Sequence, residues 1–139
     1  MQNKFTFMLV LFVIMATLVS ACGDGGSSEA ESALDAAPAP YAGKTNPVSG
    51  SSEAISEGKA SFDSTCTSCH GDTGLGDGPA AAALTPPPAS LAELVKTADD
   101  DYLLWRISEG KEGTAMVAWK SILSEDQIWQ VISYLRTFE

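Results

Sequence analysis

The stretch Ser64–Gly78, "STCTSCHGDTGLGDG", decides how this chain is read. Cys66 and Cys69 stand three apart, and His70 follows the second directly. A zinc site needs four donors from Cys, His or carboxylate side chains. This sequence has three cysteines and one histidine, and no second Cys-x-x-Cys, so zinc lacks partners. A thioredoxin-like dithiol needs a preceding strand in a βαβ setting. No strand-like alternation surrounds Cys66. A disulfide across two intervening residues leaves His70 unexplained.

Covalent attachment of haem uses all three residues. Cys-x-x-Cys-His is the c-type attachment signature. Two thiols on one helical turn can add to the two vinyl groups of a single porphyrin, and His70 then faces the iron as proximal ligand. The expected cofactor is one covalent haem c with its iron. The sixth ligand follows by elimination. With one histidine, His/His ligation within the chain is excluded. Of the methionines, Met1, Met8 and Met15 fall in the leader, leaving Met116 in "GKEGTAMVAWK". Thioether ligation opposite His70 is expected. Gap filling by Met116, lysine ligation by Lys111 or Lys120, and an open position are the alternatives.

Outward from this motif, the chain divides into three. Lys4 precedes the apolar run Phe5–Val19, too short to span a bilayer comfortably, which takes about 20 residues. It has the length of a signal-peptide core. Val19-Ser20-Ala21-Cys22 resembles the lipobox of bacterial lipoproteins, which implies acylation of Cys22 after removal of residues 1–21. Export to the periplasmic side of a bacterial membrane is expected, with the lipid as anchor; ordinary cleavage after Ala21 with Cys22 left free, and an uncleaved anchor, are the alternatives. Residues 22–52 are rich in Gly, Ser, Ala and Pro with scattered acids, and lack apolar periodicity. They are expected to form a flexible tether. A compact domain is expected over 53–139. The chain carries a formal charge of −10, which excludes a basic nucleic-acid footprint.

Within 53–139 the spacing predicts three helices. The first spans about Glu53–Cys69, capped by Ser52, with Ile55, Gly58, Phe62 and Cys66 on one face. The second spans about Ala98–Glu109, capped by Thr97 or Asp99 and stopped at Gly110. The third begins at a capping box, Ser124 to Gln127, and carries the stripe Ile128, Val131, Ile132, Leu135 and Phe138. Gly71–Ser90, dominated by Gly and Pro, is expected to be mostly loop.

The ordered set "CTSCHG", Gly78-Pro79, "GTAMVAWK" and "LSEDQIWQVISYLRTF" resembles a small bacterial class I cytochrome c over the whole of 53–139. The resemblance implies an all-α fold wrapped around one haem. It implies that Gly58 and Phe62 meet Tyr134 and Leu135 where the terminal helices cross. It implies a carbonyl from a Gly-Pro loop on the proximal histidine. Pro79 matches that position best, with Pro86, Pro87 and Pro88 as competing choices. Arg106 resembles the arginine that some relatives use to hold a haem propionate, and Trp119 is placed to reach the haem edge. Surface charge for Arg106 and core packing for Trp119 are the plain alternatives. Val117 stands where the family commonly has proline after the ligand Met, so the loop is expected to be less stiff. The implied function is one-electron transfer, without catalysis, to or from an oxidase, a reductase or a quinol-oxidising complex. The alternative is a haem enzyme or gas sensor with an open or labile sixth site.

Overall fold

The computed structural model describes residues 34–138. The signal segment and Cys22 lie outside the described residues. A compact unit runs Leu34–Glu139. Among the described residues there is no strand, and the helices are α1 (Ser52–Thr65), α2 (Thr67–His70), α3 (Leu91–Leu94), α4 (Asp100–Glu109) and α5 (Glu125–Leu135). Single 3-10 turns cover Ala81–Ala83 and Arg136–Phe138. None of these helices is long and apolar enough to cross a membrane.

The ends of α5 are built by local chemistry. Ser124 Oγ accepts from the Gln127 amide, and the Gln127 side chain accepts from the Ser124 amide, so the expected capping box is present. Two otherwise unpaired amides are satisfied in this way. Its apolar stripe is buried, with Ile128, Val131 and Ile132 at most 1 % exposed. At the other end, Arg136 donates to the carbonyls of Val95 and Ala98 and to Asp100 Oδ1, tying the end of α5 to the start of α4.

α1 crosses α5 closely because Gly58 lacks a side chain. A Cβ there would fall on the Gln130 carbonyl oxygen and 2.9 Å from the Val131 amide nitrogen. The contact therefore lies one turn before the expected Tyr134 and Leu135. The cost of glycine within a helix, about 1 kcal/mol relative to alanine, is offset by that approach. One turn further along α1, Phe62 meets Tyr134 as expected, edge to face at 5.4 Å, and Phe138 at 5.7 Å. Phe62 is fully buried, which stabilises by about 2–3 kcal/mol relative to exposure. α4 completes the core with Tyr102, Leu103, Leu104 and Ile107.

Three expectations are corrected. The first helix stops at Thr65 instead of running to Cys69, and its cap is Ser51, whose Oγ accepts from Ala54. The hydroxyls of Thr65 and Thr67 bond back to the carbonyls of Ser61 and Asp63, and Cys66 relaxes to φ −113° between the two helices. Threonine hydroxyls that bond four residues back compete with regular helix geometry. Secondly, the three-helix expectation lacks α3, a single turn before α4; Ser90 caps it by accepting from Glu93. Thirdly, residues 34–51 pack on the helices instead of continuing a flexible tether. Asn46 is buried and donates to the Trp129 carbonyl and to Ser133 Oγ, while Leu34, Tyr41 and Val48 lie against the core. Isolated apolar residues and one asparagine with a buried partner set suffice to seat it.

Candidate haem site

The cysteines and histidine sit on one helical turn. Cys66 is the hinge between α1 and α2, Cys69 and His70 end α2, and the His70 amide donates to the Cys66 carbonyl at 2.9 Å. Both cysteines are free thiols and half-buried. Burial, and then the neighbouring Cys69, push the Cys66 thiol above its ordinary pKa, against a lowering contact from the Thr65 hydroxyl. Among the described residues, no group of three or more His, Cys, Asp or Glu side chains converges.

The glycine-rich loop folds back on this turn. The amides of Gly76, Gly78 and Ala80 donate to the carbonyls of His70, Cys69 and Ser68 at 2.9, 3.2 and 2.8 Å. Those carbonyls are the ones a short helix leaves unpaired at its C-terminus. Glycine is required at 78, where a Cβ would collide with the carbonyl oxygens of Thr67 and Ser68. The stretch expected to be mostly loop is thus the second wall of the turn.

His70 Nδ1 lies 3.2 Å from the Ala89 carbonyl oxygen. This corrects the expectation for Pro79, which is exposed. The acceptor follows Pro86-Pro87-Pro88, the competing stretch. Any residue supplies a carbonyl, so residue type does not mark the acceptor. With Nδ1–H donated to Ala89, Nε2 keeps its lone pair. Burial lowers the imidazole pKa, partly opposed by the Ala89 contact, so the ring is held neutral as a ligand must be.

Met116 lies on the loop between α4 and α5, half-buried and packed against the core. Lys111 donates to the Met116 carbonyl at 3.0 Å, and the Met116 amide donates to Thr114 Oγ1 at 3.1 Å. The loop returns onto the end of α4, where the Trp119 and Lys120 amides donate to the carbonyls of Ile107 and Ser108. Trp119 packs against the core beside it. Val117, in the place of a stiffening proline, is 57 % exposed.

The Arg106 guanidinium has protein partners. It lies 3.6 Å from the centroid of the Trp105 ring, and Nη2 pairs with Asp35 Oδ2 at 2.8 Å. Asp35 belongs to the segment read as tether. Arg106 Nε is buried and has no hydrogen-bond partner. An unpaired buried donor is costly, by about 1–3 kcal/mol, unless a ligand supplies the acceptor. Two thiols on one turn, an oriented neutral imidazole, a half-buried thioether and an unpartnered guanidinium nitrogen form a donor set that fits haem and its propionates.

The family model described as "Cytochrome C oxidase, cbb3-type, subunit III" matches residues 53–135. A search of curated proteins finds no match. Among solved structures, a reducing HAO-like protein complex of Kuenenia stuttgartiensis is similar at TM-score 0.55 and 24 % identity, over 63 % of this chain and 44 % of that one. Cytochrome CL from the marine methylotroph Methylophaga aminisulfidivorans is similar at TM-score 0.54 and 24 % identity, over 67 % of this chain and 58 % of that one. The matches thus span less than two thirds of either structure's own chain, and what they share with this protein is the all-α cytochrome c fold. The family match extends over more than half of the sequence, and the chain belongs to the cytochrome c oxidase, cbb3-type, subunit III family of c-type cytochrome domains.

Proposed function

We propose that the protein carries single electrons outside the cytoplasm, using one haem c fixed through Cys66 and Cys69, ligated by His70 and Met116, and anchored to the membrane by lipid on Cys22. The observation that carries this reading is His70 Nδ1 on the Ala89 carbonyl, directly after two free thiols on the same turn. When bound, the haem supplies a ferric/ferrous couple. Everything else falls to the chain. Ala89 orients the imidazole and raises its basicity as a ligand. Met116, a neutral thioether on a loop closed against α4, favours the ferrous form and raises the potential. Arg106 Nε would donate to a propionate, which would supply the acceptor it lacks. The helical core keeps these groups in place through both oxidation states.

The partner is a redox protein at the same membrane, such as an oxidase, a reductase or a quinol-oxidising complex. The family's description as an oxidase subunit, and a structural neighbour within a complex, support a docked role as readily as a free one. The charge of −10 favours a cationic face on that partner, with encounter rates that fall as salt rises. Carbon monoxide added to the reduced protein tests the assignment. A carrier with Met116 in place binds it weakly and slowly; fast, tight binding would make the sixth site open and the protein a gas-binding or catalytic one.

A further inference from the structure

The loop that bears Met116 has an unusual closure. It leaves α4 after Glu109 and returns at Lys120, and these two residues form an ion pair at 2.6 Å across its base. The Glu109 carboxylate has a further partner. Tyr41 Oη donates to Glu109 Oε1 at 2.6 Å, from a residue that precedes the family-matched region. Tyr41 is not on a loose end. Gly43 and Asn46 donate through their amides to Asp101 Oδ2 and Asp100 Oδ2 at 2.8 and 3.0 Å. Lys44 pairs with Glu125 at 2.8 Å, and Asn46 is buried against α5. Asp35 reaches Arg106 on the same helix, α4.

We propose that residues 34–46 are a positioning strap, whose Tyr41 clamps the base of the Met116 loop through Glu109 and Lys120 and so sets how firmly the sixth ligand is held. The inference rests on the haem-carrier reading above. Val117 leaves φ free where a proline would fix it, so stiffness in this loop has to come from contacts. The backbone supplies some at Ile107, Ser108 and Lys111, Thr114 Oγ1 accepts from the Met116 amide, and the strap adds its clamp at the base. Tyr41 is therefore a positioning residue that never touches the haem.

The consequence is a population effect. An external ligand such as imidazole reaches the ferric iron only in molecules whose Met116 has left. Its apparent affinity therefore scales with the open fraction. Loss of the Tyr41 hydroxyl removes a hydrogen bond to a charged acceptor at a partly exposed site. Imidazole affinity should then rise about threefold to tenfold.

The test uses the full-length, haem-loaded chain, comparing wild type, Tyr41→Phe, Glu109→Gln and the double variant. Lys59→Met, which breaks the remote Lys59–Asp63 pair on α1, serves as control. Imidazole titration of the ferric proteins is read beside hydrogen exchange at the Trp119 and Lys120 amides. The strap predicts tighter imidazole binding and faster exchange in Tyr41→Phe and in Glu109→Gln, with the double variant little different from Glu109→Gln, and no change in Lys59→Met. Unaltered imidazole affinity and exchange in Tyr41→Phe would overturn it. A lower denaturation midpoint with unaltered imidazole affinity would overturn it equally, leaving Tyr41 as ordinary packing. A wild-type chain that takes up no haem would defeat the carrier reading instead, while faster Trp119 and Lys120 exchange in Tyr41→Phe would still support the clamp.

Discussion

The turn that carries His70 is knitted only to its own neighbours in the chain, whereas the loop that carries Met116, closed by bonds to the end of α4, is clamped in addition by a group from far away. On the histidine side, Gly76, Gly78, Ala80 and Ala89 all lie within 19 residues of His70, and backbone atoms make the contacts. On the methionine side, side chains do much of the work, and Tyr41 reaches Glu109 across a separation of 68 residues. Local backbone bonds resist opening unless the whole turn unravels. Side-chain clamps at the surface are individually weak and can be released one at a time. On the proposed reading, His70 would hold the iron as part of the fold, and Met116 as an adjustable attachment.

The largest effect should come from removing the thiols. In Cys66→Ser/Cys69→Ser, haem should no longer stay with the chain in denaturant, because only axial ligation remains. Retention of unextractable haem would show that the knitted turn is not the attachment point. Next in size is Met116→Ala. The account expects the reduced variant to bind carbon monoxide rapidly while its haem stays covalently attached, and absorption spectroscopy reads both. If carbon monoxide binding matches wild type, Met116 is not the sixth ligand and the two sides are not opposed as described.

Gly78→Ala probes the histidine side alone. Its new Cβ meets backbone oxygens that cannot rotate away, so a loss of about 1–3 kcal/mol in denaturant unfolding is expected. An unchanged midpoint would mean that the loop does not clasp the turn. The smallest effect belongs to the Glu109 carboxylate, whose pKa is held below its ordinary value by Lys120 first and Tyr41 second. A carboxyl with a depressed folded pKa contributes stability above its unfolded pKa and loses it as pH falls through the folded value. Melting of wild type and Glu109→Gln should converge as the solution is acidified below the carboxylate range. A gap that persists in acid would assign the difference to packing.

The same contrast explains what could be read from the sequence. Cys66, Cys69 and His70 are adjacent, so one short window exposes their chemistry. The α5 capping box is equally local, and Met116 emerged by counting. The α3 helix has a local sign too, in Ser90 followed by Glu93, but at a single turn it is too short to show a period. The Ala89 carbonyl had none, since every residue carries that group. The strap was hidden for a different reason. Leu34, Tyr41 and Val48 are too sparse to show a period, and Asn46 becomes a buried residue only once Trp129 and Ser133 stand opposite it. Arg106 was singled out, yet its pairing with Asp35 depends on that same unread segment.

The covalent link itself is tested most directly by acid-acetone extraction of the mature protein, made in a host that matures c-type cytochromes, followed by an alkaline pyridine haemochrome spectrum of the pellet. The account predicts that the colour stays with the chain and shows a haem whose two vinyl groups are both saturated. A colourless protein, or haem that passes into the acetone, would contradict it.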